Sequence, residues 1–254
     1  NDSFVTLYDR VNKLRNAFEY HDNKYRNPKD QTELSHDIAL IYERFKEKVS
    51  GTATLQALSW RLSQLNKIGI FNCDISGVEA CLVKRKTAVI RGKQKHLKML
   101  ASYLITKLYR KRRAFKDYEQ SGETKAPTKF PPFFIIVDEA HDFAPNGNYS
   151  NPAKRILREI SQEARKYGVF EVFGTQRPSL LDMTITAQLN TKVIFRTNIE
   201  ADMQMIAKET NLNEQQVKRL PELSSGNAFI SSATLKKTMY IRFKATRTIS
   251  PNSE

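Results

Sequence analysis

One short segment most constrains how this chain of 254 residues can fold, because it joins a continuous apolar run to a pair of acidic residues. In "FFIIVDEAHDFAP" the apolar residues 133–137 are followed at once by Asp138 and Glu139. Strands that are buried on both faces of a parallel sheet have such continuous apolar runs. The segment therefore predicts a central β-strand with two carboxylates at its carboxyl end.

Segments with strand character and helix character alternate after residue 71. The predicted strands cover 87–92, 133–137, 169–176, 191–197, 227–232 and 238–245, and the predicted helices cover 97–113, 151–168 and about 200–210. This alternation is typical of a parallel sheet with helices on its faces. The fold class is therefore predicted to be α/β.

Residues 1–70 show a different pattern, in which apolar residues recur at steps of three and four. The first series is Phe4, Leu7, Tyr8, Val11, Leu14 and Phe18, and similar series begin at Ile38 and Leu55. This spacing places apolar side chains on one face of a helix. Polar breaks at 27–33 and 50–54 separate the series. We therefore predict a helical bundle or insertion over 1–70, followed by an α/β part over 71–254.

The net charge of +15 is concentrated in one part of the chain. Residues 71–130 hold 15 basic and 5 acidic residues, and so carry +10 of that charge. A concentrated basic segment favours a phosphate-rich partner such as nucleic acid, although a lysine-rich face in contact with solvent has the same composition. The candidate DNA contacts are Lys84, Arg85, Lys86, Lys111, Arg112 and Arg113.

Composition also excludes several kinds of protein. The longest purely apolar run has five residues, whereas a membrane-spanning helix needs roughly 20. Cys73 and Cys81 have neither the number nor the spacing of a disulfide framework or a zinc site, and the four histidines are scattered. We expect a cytoplasmic protein that does not bind a membrane.

The two acidic residues at the end of the predicted central strand suit phosphoryl transfer. In open α/β sheets, ligands bind at the carboxyl ends of the strands. Asp138 could hold Mg²⁺ through the water shell that this hard cation keeps, and Glu139 could polarise the water that attacks the γ-phosphate. The alternative is a strand end that simply meets solvent with charged residues.

Three further residues lie where they could complete such a site. The predicted strand over 169–176 ends with Thr175 and Gln176, which places both at the same edge of the sheet. Polar residues there could sense the γ-phosphate. Arg165, near the end of the preceding helix, could act as an arginine finger in a neighbouring subunit. Its alternative role is a cation that interacts with the helix dipole.

Four segments together resemble the HerA/FtsK superfamily of DNA-pumping ATPases, and their order and spacing match from about residue 133 to 210. They read "IIVDEAHDFAP", "ISQEARKYGV", "GTQRPSLLDMTITAQLNTKVIFRT" and "EADMQMIAKET". The forms "DEAHDFAP" and "RKYG" favour the HerA branch. The resemblance implies the C-terminal part of a RecA-like parallel sheet flanked by helices, with a helical bundle before it.

The resemblance also implies functional roles. It implies that Asp138 is the Walker B acid and Glu139 the catalytic base. It also implies that Gln176, with Thr175, is the polar sensor and that Arg165 is the arginine finger acting in trans. Arg177 and Arg196 are further candidates for phosphate or interface contacts. HerA proteins use ATP and Mg²⁺, form hexameric rings around double-stranded DNA, and often act with a nuclease of the NurA type in DNA end processing. Related modules occur in phage defence.

One motif that such an ATPase needs is not found in these residues. A P-loop has the form G-x-x-x-x-G-K-[ST], and the only Gly-Lys pair, Gly92-Lys93, is followed by Gln94 and has Thr87 five positions before the glycine. We therefore expect the C-terminal portion of an ATPase that is inactive by itself. Two alternatives remain: an inactive assembly or DNA-binding module without a P-loop, and a superfamily 2 DEAH-box helicase.

Overall fold

A computed structural model of the chain describes residues 4–26, 36–49, 51–69, 76–121, 127–148 and 151–245. The chain separates into two compact units, Asn1–Val78 and Glu79–Glu254. The domain boundary that we placed at residue 70 stays a prediction. No helix in the described ranges combines the length and the apolar character that crossing a membrane requires.

The first unit is the helical bundle that the sequence predicts. Its helices are α1 (Phe4–Arg26), α2 (His36–Phe45) and α3 (Thr52–Ile68), and α1 packs against both of the others. Phe18 of α1 and Leu55 of α3 lie in the buried interior. The predicted break at 27–33 falls outside the described residues. The second break is shorter than predicted, because α3 already begins at Thr52.

The remaining elements lie in chain order as helices and short strands. They are α4 (Ser76–Val83), α5 (Gln94–Ser121), β1 (Phe133–Val137), α6 (Ala140–Phe143), α7 (Pro152–Glu163), β2 (Val169–Phe173), α8 (Met183–Gln188), β3 (Thr191–Ile194), α9 (Glu200–Glu209), α10 (Glu214–Lys218), β4 (Asn227–Ser232) and β5 (Met239–Arg242). This order confirms the predicted α/β class.

The central apolar run forms a parallel sheet with the next strand. β1 pairs with β2 in parallel, with Phe133 opposite Val169 and Val137 opposite Phe173. Helix α7 connects the two strands, and it packs against both α5 and β2. The inner face of this sheet is buried, whereas Ile136 on the outer face is 73% exposed. The prediction of a central strand buried on both faces is therefore wrong for the described residues, in which β1 pairs with β2 alone. The carboxyl ends of β1 and β2 therefore lie side by side.

The last three strands form a separate antiparallel sheet in the order β3–β4–β5. The alternation in sequence predicted that the strand at 191–197 would join a parallel sheet, but β3 pairs antiparallel with β4. This pairing arises because α9 and α10 return the chain to the end of the sheet at which β3 finishes. Ile194, Ile206, Leu220 and Phe229 form a buried cluster between these strands and helices.

The predicted strand at 87–92 is wrong. Residues 86–93 form an irregular segment that pairs with no strand among the described residues. Val89 in this segment is 72% exposed, so its apolar side chain does not gain the burial that a central strand provides. The helix predicted at 97–113 is longer than expected and runs from Gln94 to Ser121.

Arg112 ties α5 to the segments that flank the parallel sheet. Its side chain is 6% exposed, and it donates to the carbonyl oxygens of Tyr167 and Phe130 at 2.6 Å each. Gly168 lies against the same guanidinium with φ of 74°, and a Cβ there would come within 3.0 Å of Pro132. Arg112 therefore stabilises the turn that leads into β2.

Candidate active site

The candidate site lies at the carboxyl ends of β1 and β2. Asp138 and Glu139 follow β1, and Gly174, Thr175 and Gln176 follow β2. The Gly174 N–H donates to the Val137 carbonyl at 2.9 Å, so the backbone segments that follow β1 and β2 stay side by side beyond the last strand residues. A Cβ on Gly174 would lie 3.4 Å from the Asp138 Oδ1 atom, so the backbone after β2 passes close beside this carboxylate.

Glu139 has an unusual backbone conformation. Its φ and ψ are 48° and 50°, in the left-handed region, which costs a non-glycine residue about 1–2 kcal/mol. Its N–H donates to the Asp138 Oδ1 atom at 3.0 Å. Strained backbone of this kind is concentrated at functional sites, where the surrounding structure maintains it.

The Glu139 side chain contacts residues from the neighbouring strand end. The Gln176 Nε2 atom donates to Glu139 Oε1 at 2.9 Å. His141 Nδ1 lies 3.5 Å from Glu139 Oε2 and 2.9 Å from Thr175 Oγ1. The Arg177 N–H also donates to Thr175 Oγ1, at 3.1 Å. The structure therefore joins both strand ends in one hydrogen-bonded network.

His141 contacts two of the predicted site residues, although its sequence context does not predict a role for it. The four histidines are scattered in sequence. His141 gains its partners only through the fold, because Thr175 follows β2 and Glu139 follows β1. The available signal was its position two residues after Glu139, where a short helix can turn a side chain back toward the site. Its imidazole lies between the carboxylate and the hydroxyl that the sequence predicts.

Asp138 fits the requirements of a magnesium site. Among the described residues, no three His, Cys, Asp or Glu side chains are grouped closely enough to hold a metal ion by themselves. Mg²⁺ does not need such a group, because it keeps several waters and usually takes one or two carboxylates together with substrate phosphates. Asp138 is exposed at the strand end and can serve as one such carboxylate.

Arg165 lies at the other end of the parallel sheet. It belongs to the 3₁₀ turn Ala164–Tyr167, which precedes the first residue of β2. Because β1 and β2 run parallel and in register, the length of a strand separates it from residues that follow β1. Five strand residues span about 13–17 Å. The structure does not bring Arg165 together with Glu139.

Arg177 and Arg196 differ in their surroundings. The Arg177 Nε atom lies 3.3 Å from the Oδ2 atom of Asp202, whose side chain is completely buried. Arg196 is exposed, and its Nε donates to Asn198 Oδ1 at 3.4 Å. Only Arg177 is therefore anchored beside the network through a buried carboxylate.

The six basic residues predicted to contact DNA separate into three kinds. Lys84, Arg85 and Lys86 are exposed in the loop before α5. Two others have partners at the surface, since Lys111 pairs with Glu79 and Arg113 lies 3.6 Å from Asp117. Arg112 is buried and bonded to backbone carbonyls, so its guanidinium is not free to bind a phosphate.

The loop that carries the first three basic residues leads directly to the candidate site. The Nε2 atom of Gln94, at the start of α5, donates to the Asp142 carboxylate. Lys98 Nζ lies 3.6 Å from the Oδ1 atom of the same carboxylate. Asp142 belongs to α6, which follows Glu139. The start of α5, which follows the basic loop in sequence, thus contacts the short helix that carries His141.

Sequence comparison finds relatives among DNA helicases, although no family model matches the chain. It is 34% identical over 134 residues to the DNA double-strand break repair helicase HerA of Pyrococcus furiosus, which covers 52% of this chain and 24% of that protein. It is 22% identical over 237 residues to HerA of Sulfolobus acidocaldarius, covering 93% of this chain and 42% of that one. The chain thus spans less than half the length of either relative.

One solved structure with partial similarity is the genome-packaging NTPase B204 of Sulfolobus turreted icosahedral virus 2 in complex with AMPPCP. It aligns with a TM-score of 0.42 at 17% identity, over 57% of this chain and 63% of that one.

Proposed function

Since this chain is a HerA-like member of the HerA/FtsK superfamily, we propose that it forms the C-terminal portion of a DNA-dependent ATPase that translocates on or unwinds double-stranded DNA. The observation that carries the proposal is the contact between Glu139 and Gln176, which joins an acid after β1 to an amide after β2. Such a pair lies where an α/β sheet binds its ligand.

Each residue of the strand-end network has a role in this proposal. Asp138 holds Mg²⁺ through its water shell, and the ion would supply neutralisation of charge on the phosphates. Glu139 polarises the attacking water. Gln176 donates a hydrogen bond to Glu139 in this structure, and it turns toward the γ-phosphate when nucleotide is bound. Thr175 orients His141 beside the same carboxylate.

Arg165 acts in the site of a neighbouring subunit. Its position at the opposite end of the parallel sheet from Glu139 supports this assignment, because a finger for its own site would have to cross the length of the strands. An arginine that acts in trans requires self-association, and we propose a ring of six subunits. Arg196 is exposed and is a second candidate for contact with a neighbour.

The exposed loop before α5 is the proposed DNA contact. Lys84, Arg85 and Lys86 supply its positive charge, with further contribution from Lys111 and Arg113. We leave Arg112 out because its guanidinium donates to two backbone carbonyls in the interior. The connection from this loop through Gln94 to Asp142 supports communication between bound DNA and the nucleotide.

The phosphate cradle must come from outside these 254 residues, because no glycine here begins a P-loop motif. The chain alone is then inactive, and the natural gene product that contains it is an ATP-dependent motor of the cytoplasm that works with a nuclease of the NurA type. The second candidate function is an inactive assembly or DNA-binding module, which the exposed basic residues 84–86 would serve without catalysis.

Steady-state ATP hydrolysis by the natural gene product, with and without duplex DNA, tests this proposal. We expect DNA-stimulated turnover, and we expect Glu139→Gln to bind ATP while turnover falls by roughly a hundredfold or more, because only the activation of water is lost. Glu222→Gln, at an exposed position in a turn distant in sequence from the network, is the matched control. A wild-type protein that does not hydrolyse ATP supports the second candidate instead.

A further inference from the structure

A buried carboxylate that is not among the predicted site residues forms an ion pair with Arg177, which is one of them. Asp202, on α9, has a relative exposure of 0%. Its Oδ1 atom accepts from the Ser179 N–H at 2.9 Å, and its Oδ2 atom lies 3.3 Å from Arg177 Nε. A buried charge is costly unless it is paired and hydrogen-bonded, and both donors come from the segment that follows β2.

We propose that Asp202 is a positioning residue that holds Arg177 so that its two terminal guanidinium nitrogens face a phosphate of the bound nucleotide. The inference rests on the proposed function. Arg177 uses Nε for Asp202, and a guanidinium has four further N–H groups in a rigid plane. Anchoring one side of that plane removes rotamer freedom before the phosphate arrives, which strengthens binding by preorganisation.

The same anchor reaches the network around Glu139. The Arg177 N–H donates to Thr175 Oγ1 at 3.1 Å, and Thr175 contacts His141. Gln176, which bonds to Glu139, lies between these two residues in sequence. Asp202 therefore holds the segment 175–179 through the Ser179 N–H and the Arg177 side chain.

A second buried carboxylate offers a matched control. Asp182 is 3% exposed, and its Oδ2 atom accepts from Arg158 Nη2 at 2.7 Å. It also caps α8 by accepting from two backbone N–H groups. Lys154 Nζ also lies 3.0 Å from the same Oδ2 atom. Like Asp202, Asp182 is thus a buried carboxylate paired with an arginine, but among the described residues its side chain bonds to none of the residues in the network around Glu139. Variants of this pair therefore show what a loss of stability alone does to nucleotide binding.

A double-mutant cycle on the natural gene product tests the inference. Asp202→Asn, Arg177→Gln and the combined variant are compared for affinity for a fluorescent ATP analogue, for kcat and KM, and for thermal unfolding. Asn can still accept from the Ser179 N–H but loses the ion pair with Arg177. We expect each single variant to bind nucleotide about tenfold more weakly, and the combined variant to be no weaker than Arg177→Gln.

The control cycle uses Arg158→Gln and Asp182→Asn, which should lower the unfolding temperature but leave affinity for the analogue within about twofold of wild type. Wild-type affinity in Asp202→Asn, or losses at Asp202 and Arg177 that multiply in the combined variant, would overturn the inference. If Asp202→Asn does not fold, Arg177→Lys decides: a lysine cannot both pair with Asp202 and reach the phosphate, so unchanged affinity there also overturns it.

These outcomes are separable from those of the proposed function. Full turnover in Glu139→Gln contradicts the proposed hydrolytic site, while the binding cycle still decides the role of Asp202. A wild-type protein that does not bind the analogue overturns both.

Discussion

Replacing Glu171 with Gln tests an ionisable group on the inner face of the parallel sheet. Glu171 lies on β2 opposite Ile135 of β1, on the face that also carries buried Val169. Both of its carboxylate oxygens are shielded from solvent, and neither has a hydrogen-bond partner within the described part of the chain. Burial raises the pKa of Glu171 from 4.5 to about 8.

The sign of the effect follows from where the proton is held. Between pH 4.5 and about 8 the folded chain keeps a proton on Glu171 that the unfolded chain has lost, so the free energy of unfolding falls as pH rises. Each pH unit within this window costs about 1.4 kcal/mol. From pH 5 to pH 8 the expected loss is roughly 3–4 kcal/mol.

Glu171→Gln keeps the size of the side chain and removes its ionisation. We expect the variant and the parent chain to differ little at pH 5, and the variant to be more stable by roughly 3 kcal/mol at pH 8. Urea unfolding followed by circular dichroism at several pH values measures this difference. Glu222→Gln, at an exposed position, controls for the loss of one acidic residue. A difference between Glu171→Gln and the parent that stays constant from pH 5 to pH 8 would refute the reasoning.

Three further predictions concern charged residues. Arg112→Met should lower the free energy of unfolding by about 2–4 kcal/mol, because it orphans two buried carbonyls, and urea unfolding beside the exposed control Arg110→Met measures this. Replacing the basic residues 84–86 with Gln should weaken DNA binding equally for all sequences and flatten its salt dependence by about 2–3 in slope, and an unchanged slope in fluorescence anisotropy would count against that loop. Subunits carrying Arg165→Ala should regain ATP hydrolysis when mixed with Glu139→Gln subunits, because an intact base then faces an intact finger, and the absence of recovery would contradict action in trans.

The α/β class and the polar residues that follow β1 and β2 could be predicted from the amino-acid sequence. The apolar run before Asp138, and Thr175 and Gln176 after the next strand, could be placed because a short apolar run that ends in polar residues is a local pattern. The helices at residues 1–70 could be predicted for the same reason, since their periodicity is also local.

Contacts between residues that are distant in sequence became visible only in the folded chain. It made Arg112, a candidate DNA contact, an interior hydrogen-bond donor, and within the described part of the chain it gave residues 87–92 no strand partner. It also placed His141 against Thr175 and Asp202 against Arg177, pairs that lie more than 20 positions apart in sequence. Local patterns carry no information on such contacts, because burial and pairing depend on which segments the whole fold brings together. The sequence of a basic run such as residues 110–113 is the same whether one of its side chains faces solvent or donates to a pair of buried carbonyls.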